Sequence, residues 1–350
     1  MPALVNLTEP FSFDQITFVV QGPIVANFQD GYTQRLTQTI REYFPGSTLI
    51  VSTWNGEDTS ALDADIVILS KDPGSLFLDK EERYANNVNR QIISTVAALE
   101  KVQTRYVVKL RSDLIFINNQ MATLIREYIH RQAKERGILS DYCIISNFTS
   151  IKPSRYFPFL FHPCDWIFAG STSDIRKIWY SLECADVKTC SPEVSKYKGI
   201  ADPQNFVLRP ESFIWIQFLE KNSFFSLDKG RHELEMESEK SIFENLVIIN
   251  NFNLGIRTQK IKLDKGFFHS GTIYNALTSN RVRRRLGIRL KQAVTIQDVK
   301  SEFARLLYPI YRLQMKFTQK LRTESARLCS VKNESAESQN PQKILTRSKK

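Results

Sequence analysis

Between residues 16 and 147, short apolar runs alternate with stretches of helical periodicity, and this rhythm leaves few folds open. Ile16–Gln21, Thr48–Ser52, Asp65–Leu69, Tyr106–Leu110 and Tyr142–Asn147 read as strands. Between the first two, Tyr32–Phe44 carries Leu36, Ile40 and Tyr43 at helical spacing and stops at Pro45-Gly46. Arg83–Val102 is expected to form a long helix with Val88, Ile92, Val96 and Leu99 along one face, and Met121–Lys134 another. Strands separated by helices cannot be joined as hairpins, so the pattern predicts an α/β domain with a mostly parallel central sheet flanked by helices.

The second half is less regular. Asp165–Ala169 and Leu246–Ile249 read as strands, Glu211–Glu220 as a helix, and a further helix follows Ser171. Residues 183–209 are loop-like, and the acidic set Glu233, Glu235, Glu237 and Glu239 reads as a solvated loop. Charge is unevenly spread. Residues 281–350 hold 18 Lys and Arg against 5 Asp and Glu, while the whole chain is +11, so the first 280 residues are close to neutral. The expected organisation is a catalytic domain at 1–280, a basic amphipathic helical extension at 281–325 kinked at Pro309, and a disordered basic tail at 326–350.

In the extension, Phe303, Leu306, Leu307, Ile310, Leu313, Phe317 and Leu321 line one side, with Arg305, Arg312, Lys316 and Lys320 on another. That pattern suits an anionic membrane surface. Nucleic acid is not the expected partner, since no recognised binding motif accompanies the charge. No stretch reaches the roughly 18 apolar residues of a membrane span. The first 14 residues lack the basic and apolar blocks of a secretory signal, and the five scattered cysteines suggest neither a disulfide framework nor a zinc site. A cytoplasmic protein, peripheral on the inner face of the membrane, is the expectation.

Four segments are placed to converge at one end of the sheet: Gln21-Gly22-Pro23-Ile24, Ser52-Thr53-Trp54, Asn87-Val88-Asn89-Arg90-Gln91 and Lys109-Leu110-Arg111-Ser112-Asp113. In open α/β sheets ligands bind outside the carboxyl ends of the strands. Gly22 and Pro23 allow a tight turn close to a ligand. Trp54 is placed either to stack on a nucleobase or sugar or to pack internally. Asn87, Arg90, Gln91 and Ser94 share a helical face opposite the apolar stripe, unusual in lacking Lys and Glu. Arg90 and Arg111 are placed to meet a diphosphate, whose oxygens suit a planar guanidinium.

Taken together with Asp165-Trp166, the order and spacing of these motifs resemble the WavE lipopolysaccharide-synthesis family over roughly residues 15–275. The resemblance implies a GT-A-like glycosyltransferase, using a nucleotide-sugar donor and a lipid-linked or polysaccharide acceptor such as lipopolysaccharide core or a capsule-like polymer. Gln21, Gly22, Pro23, Trp54, Asn87, Asn89 and Arg90 would then hold the nucleotide, with Arg111 and Asp113 at the diphosphate. The GT-A Asp-x-Asp becomes Arg111-Ser112-Asp113 here, leaving one carboxylate. Either Asp113 and His269 hold Mn²⁺ or Mg²⁺ together with diphosphate oxygens, or Arg111 supplies the positive charge directly. An inverting transfer needs a base for the acceptor hydroxyl. Glu211 is the first candidate and Asp165 the second or an acceptor-binding residue; His162 is a weaker candidate than His269 for the metal. The rival readings are a non-enzymatic membrane-associated binding protein on the same fold and a sugar nucleotidyltransferase. The latter is disfavoured because no glycine-rich triphosphate loop lies near the amino terminus.

Overall fold

The computed structural model describes residues 11–26, 32–77, 85–129, 136–153, 159–186, 200, 208–223, 225–258, 273–307 and 310. The chain runs β1 (Ile16–Gln21), α1 (Tyr32–Tyr43), β2 (Thr48–Trp54), β3 (Ile66–Ser70), the short strands β4 (Leu76–Phe77) and β5 (Ala85–Asn86), then α2 (Val88–Leu99) and β6 (Tyr106–Arg111). It continues through β7 (Ile115–Phe116), α3 (Gln120–Tyr128), β8 (Cys143–Ser146), β9 (Ile167–Ser171), α4 (Thr172–Trp179), α5 (Pro210–Asn222) and α6 (Arg231–Phe243). β10 (Leu246–Ile249), α7 (Asn251–Leu254), β11 (Ile256–Arg257), α8 (Ala276–Arg285) and α9 (residues 296–307) complete it.

The main sheet has seven strands in the order β10-β8-β9-β6-β1-β2-β3. β1 lies parallel to β2 and β6, β2 to β3, and β8 to β10. β9 runs antiparallel to both β6 and β8. This is the expected α/β architecture, GT-A-like, with a mostly parallel sheet. Successive strand residues point to opposite faces, and the core divides accordingly. Val19, Ile50, Val107, Ile145 and Phe168 pack against α2, α4, α5 and α6. Phe18, Val20, Leu49, Val108 and Ile167 pack against α1 and α3 on the other face. Full burial of each such side chain stabilises the fold by roughly 1.5–3 kcal/mol.

Three expectations need correction. The helix expected from Arg83 begins at Val88, because Asn86 folds its side-chain oxygen onto the Val88 N–H (2.9 Å) and starts the helix there. The acidic run 233–239 is helical, not a loop. Glu233 reaches back to the Gly230 N–H (3.1 Å), Arg231 pairs with Glu235, and Leu234, Ser238, Ile242 and Phe243 are buried. The boundary at 280 falls inside α8, and the chain beyond it is part of the body. Arg283 is wholly buried; it donates to Gln292 Oε1 (2.6 Å) and to the carbonyl of Leu246 in β10 (3.2 Å). Gln292 donates in turn to the carbonyl of Ile248 (2.8 Å), and Asp298 accepts from the Ala276 N–H (3.0 Å). Residues 281–307 therefore form two helices joined by an irregular connection that is pinned to the sheet edge, rather than one continuous extension. Pro309 and the remainder of the expected extension and tail lie outside the described residues, apart from Ile310.

Candidate active site

The strand order reverses between β1 and β6. The next strand in sequence after β1 lies on one side of it, and β6 on the other. At such a switch point the loops leaving the two strands part and open a crevice. A cleft of about 360 Å³ lies there, at the carboxyl ends of β1, β2 and β6 and beside the start of α2. Gln21, Gly22, Pro23, Trp54, Asn87, Arg90, Arg111 and Asp113, all expected from the sequence, line it. Asn89 does not. It points to another side of α2, where its amide donates to the Ala185 carbonyl (2.7 Å) and accepts from the Ala185 N–H (2.6 Å).

The cleft floor is tied together by short hydrogen bonds. Gly22 has φ +120°, which side-chain-bearing residues rarely adopt, and its N–H donates to the Ser52 carbonyl (3.1 Å). Ser112 closes the other side: its N–H donates to the Gln21 carbonyl (3.0 Å) and its hydroxyl to the Pro23 carbonyl (2.7 Å). The polar face of α2 meets this floor. Ser94 donates to Gln21 Oε1 (2.9 Å) and Gln91 donates to Asp165 Oδ2 (2.6 Å).

Both arginines hold carboxylates. Arg111 makes a two-pronged contact with Asp113 (3.0 and 2.7 Å), and its guanidinium lies 4.5 Å from the Trp166 ring centroid. Trp166 is itself stacked on Phe148. Arg90 makes the same kind of contact with Asp72 (2.7 and 2.5 Å) and also donates to Ser75 and Asn87. Those hydrogen bonds hold the Asp72 carboxyl below its usual range. Asp72 follows β3 and lines the same cleft. Its position after a parallel strand was the sequence signal that could have found it.

Among the described residues there is no group of three or more metal-ligating acids, cysteines and histidines. Asp113 is the expected metal residue, and both its oxygens accept from Arg111. His269 lies outside the described residues.

Behind the cleft the structure brings Glu211 together with His162 and Asp165, which lie nearly fifty residues before it. The chain reaches this place because β9 is reversed, so that its amino end lies beside the carboxyl end of β6. The Arg111 N–H donates to the Trp166 carbonyl (3.1 Å) at that junction. Phe161 is held at φ +52°, an uncommon conformation for a bulky residue, with its N–H on Ser238 Oγ (2.7 Å). His162 follows it and turns inward. Its Nδ1 donates to the Thr149 carbonyl (2.8 Å), which can only accept, and its Nε2 lies 3.6 Å from Glu211 Oε2. Glu211 sits in the first turn of α5 behind Pro210. Burial pushes its carboxyl pKa up, and the negative charge of Asp165 pushes it further. Asp165 Oδ1 and Gln91 Oε1 are buried acceptors with no hydrogen-bond partner among the described residues. Gln91 lines the cleft, and an unfilled acceptor of this kind suits a hydroxyl donor.

Lys109 stood in the fourth expected segment without a role of its own. It is wholly buried, donates to the Asp165 carbonyl (2.7 Å) and lies 4.6 Å from the Trp179 ring centroid. The signal was a lone lysine inside an apolar strand. Among the described residues no helix is long and apolar enough to cross a membrane. Comparison with curated proteins finds no match. The sequence model of the WavE lipopolysaccharide synthesis family, by contrast, matches residues 16–306. That span takes in every strand of the sheet, the cleft, the acidic cluster and the docked helices up to α9. The chain belongs to the WavE lipopolysaccharide synthesis family.

Proposed function

We propose that this protein is a nucleotide-sugar-dependent glycosyltransferase that extends a cell-surface glycan, lipopolysaccharide core or a capsule-like polymer. The observation that carries the reading is the placement of the cleft at the sheet's switch point, lined by Arg111 and Asp113, with Asp165 joined to its wall through Gln91. In this reading Trp54 and the Gln21–Pro23 turn hold the nucleoside, and Arg111 faces the diphosphate. The acceptor hydroxyl attacks the anomeric carbon from the side opposite the diphosphate. The new C–O bond forms as the bond to the diphosphate oxygen breaks, and the hydroxyl proton passes to a carboxylate. The nucleoside diphosphate leaves with the bonding electron pair, so the anomeric centre inverts. Glu211 is assigned as the base, and Asp165 with Gln91 as the pair that orients acceptor hydroxyls.

The test is a thermal-shift series on the full chain with UDP, GDP and CMP, each with and without Mn²⁺. A nucleotide at a hundred times its dissociation constant adds about 2.7 kcal/mol of stability. A rise with one nucleotide supports the reading and identifies the donor base, and its dependence on Mn²⁺ decides whether an ion joins Asp113. No rise with any nucleotide removes the donor-site assignment. The Arg111–Asp113 pair favours one other reading, a binding protein that keeps the fold without transfer. Asp113→Ala and Glu211→Ala separate the two: an unchanged glycan profile in cells carrying either variant would support the binding protein.

A further inference from the structure

α9 is an inverted amphipathic helix. Its inward side is small and polar: Asp298, Ser301 and Ala304 are buried against the body. Its outward side is apolar. Ile296 is 76% exposed, Val299 52%, Phe303 59% and Leu306 65%, and Ile310 continues the row at 64%. At about 3.6 residues per turn these two sets fall on opposite sides of the helix. A soluble helix normally does the reverse. The docking is specific, because Asp298 accepts from the Ala276 N–H (3.0 Å) and Glu302 from the Asn275 side-chain amide (3.0 Å). The apolar row is therefore held outward by the fold.

Cations border that row. Lys300 is exposed beside it, and Arg281 and Arg284 are exposed on the neighbouring α8. Arg281, Arg285 and Arg305 each lie close enough to Lys152 for their positive charges to act on it. Two carboxylates partly offset them: Glu302 pairs with Arg305, and Glu239 with Arg285. Four cations against two carboxylates leave the surroundings of Lys152 net positive.

We propose that α9 lies in the interface of an anionic lipid bilayer, with Ile296, Val299, Phe303, Leu306 and Ile310 at acyl-chain depth and the flanking lysine and arginines on lipid phosphates. A second copy of the chain is a poorer occupant. It would bring two positive margins together, and one strip of five side chains is small beside the ~800 Å² per partner of a stable protein interface. The proposal does not depend on the donor cleft being a glycosyltransferase site.

The experiment is co-sedimentation of the full chain with vesicles of phosphatidylglycerol and phosphatidylethanolamine, and separately with phosphatidylcholine alone. Binding to the anionic vesicles is expected, with little to phosphatidylcholine. Phe303→Ser with Leu306→Ser should weaken it about tenfold or more, and Arg281→Glu with Lys300→Glu should weaken it and remove its salt dependence. The exposed positions leave folding intact, which an unchanged melting temperature verifies. Equal binding by the serine variant overturns the proposal. A wild-type dimer abolished by the serine variant would show the face to be an interface between copies, and RNA binding with the same dependence would show a nucleic-acid surface. Either result also overturns it.

Discussion

Lys109 offers a direct test of the charge arrangement beneath the site. It sits within β6 with no exposed surface, and its ammonium has the Asp165 carbonyl as hydrogen-bond acceptor and the Trp179 ring as neighbour. Burial lowers its pKa from 10.5 to about 8, an effect the Asp165 charge offsets only in part. The charged form is thus disfavoured in the folded chain relative to the unfolded one. At pH below about 8 the lysine is protonated in both states, and folding carries the full burial penalty. Above about 10.5 it is neutral in both, and the penalty vanishes. Between those values the unfolded chain binds more protons, so stability rises with pH. A gap of about 2.5 units at 1.36 kcal/mol per unit is worth about 3 kcal/mol. Other groups act in the same range. Burial pushes the Cys164 thiol up to about 11, which makes stability fall with pH. Comparison with Lys109→Met removes such shared contributions. Methionine matches the stem's shape and leaves the Asp165 carbonyl without its donor at every pH, a constant offset. Urea unfolding of both proteins from pH 7.5 to 10.5 should show wild type gaining about 3 kcal/mol relative to the variant. A difference that stays flat across the window would refute the buried-cation argument.

Other expectations concern the cleft, the docked helices and the base. Gly22→Ala places a Cβ 3.1 Å from Ser112 Oγ at φ +120°. It should cost about 1–3 kcal/mol and weaken nucleotide binding, read as a lower melting temperature and a smaller ligand-induced rise. Arg283→Ala leaves the Gln292 side chain and the Leu246 carbonyl without their donor and opens a cavity. A loss of about 3 kcal/mol or more is expected in urea unfolding, and an unchanged midpoint would restore a domain boundary near 280. If Glu211 is the base, activity rises with pH through a value above that of an ordinary carboxyl, because its raised pKa keeps it protonated for longer. Glu211→Gln should abolish that acid limb in an initial-rate profile, and a limb that survives the substitution assigns it to another group.

The parts of this molecule that were legible in the sequence are those where local pattern and tertiary role coincide. β1 and β10 have the bounds their apolar runs predicted, because both are buried along their length. The polar face of α2 was readable for the same reason: Ser94, Gln91 and Arg90 sit at helical spacing and all meet partners at the cleft. Side-chain pairing was not legible, even between near neighbours. Nothing local announces that Asp72 occupies Arg90, or that Asp113 occupies Arg111 rather than standing free. The acidic helix α6 was hidden because its glutamates mask a narrow buried stripe, and its amino end is secured by a contact from Glu233 to Gly230. The boundary at 280 followed a real change in composition, but composition does not report docking. One buried arginine and one buried glutamine hold the basic segment to the sheet edge.

The reversed strand has a further consequence for how such a protein can diversify. The residues lining the cleft come from positions 21–113, whereas the acidic cluster is delivered by the connection leading into β9 and by the start of α5. The two halves of the site are thus encoded in separate, consecutive stretches of the chain, joined by the pairing of β6 with β9 and by side-chain contacts such as Gln91 with Asp165. Replacing the segment before β9 can alter what lies opposite the cleft while leaving its lining untouched. A modular layout of this kind lets one scaffold change the partner molecule it serves without relearning how to hold the first.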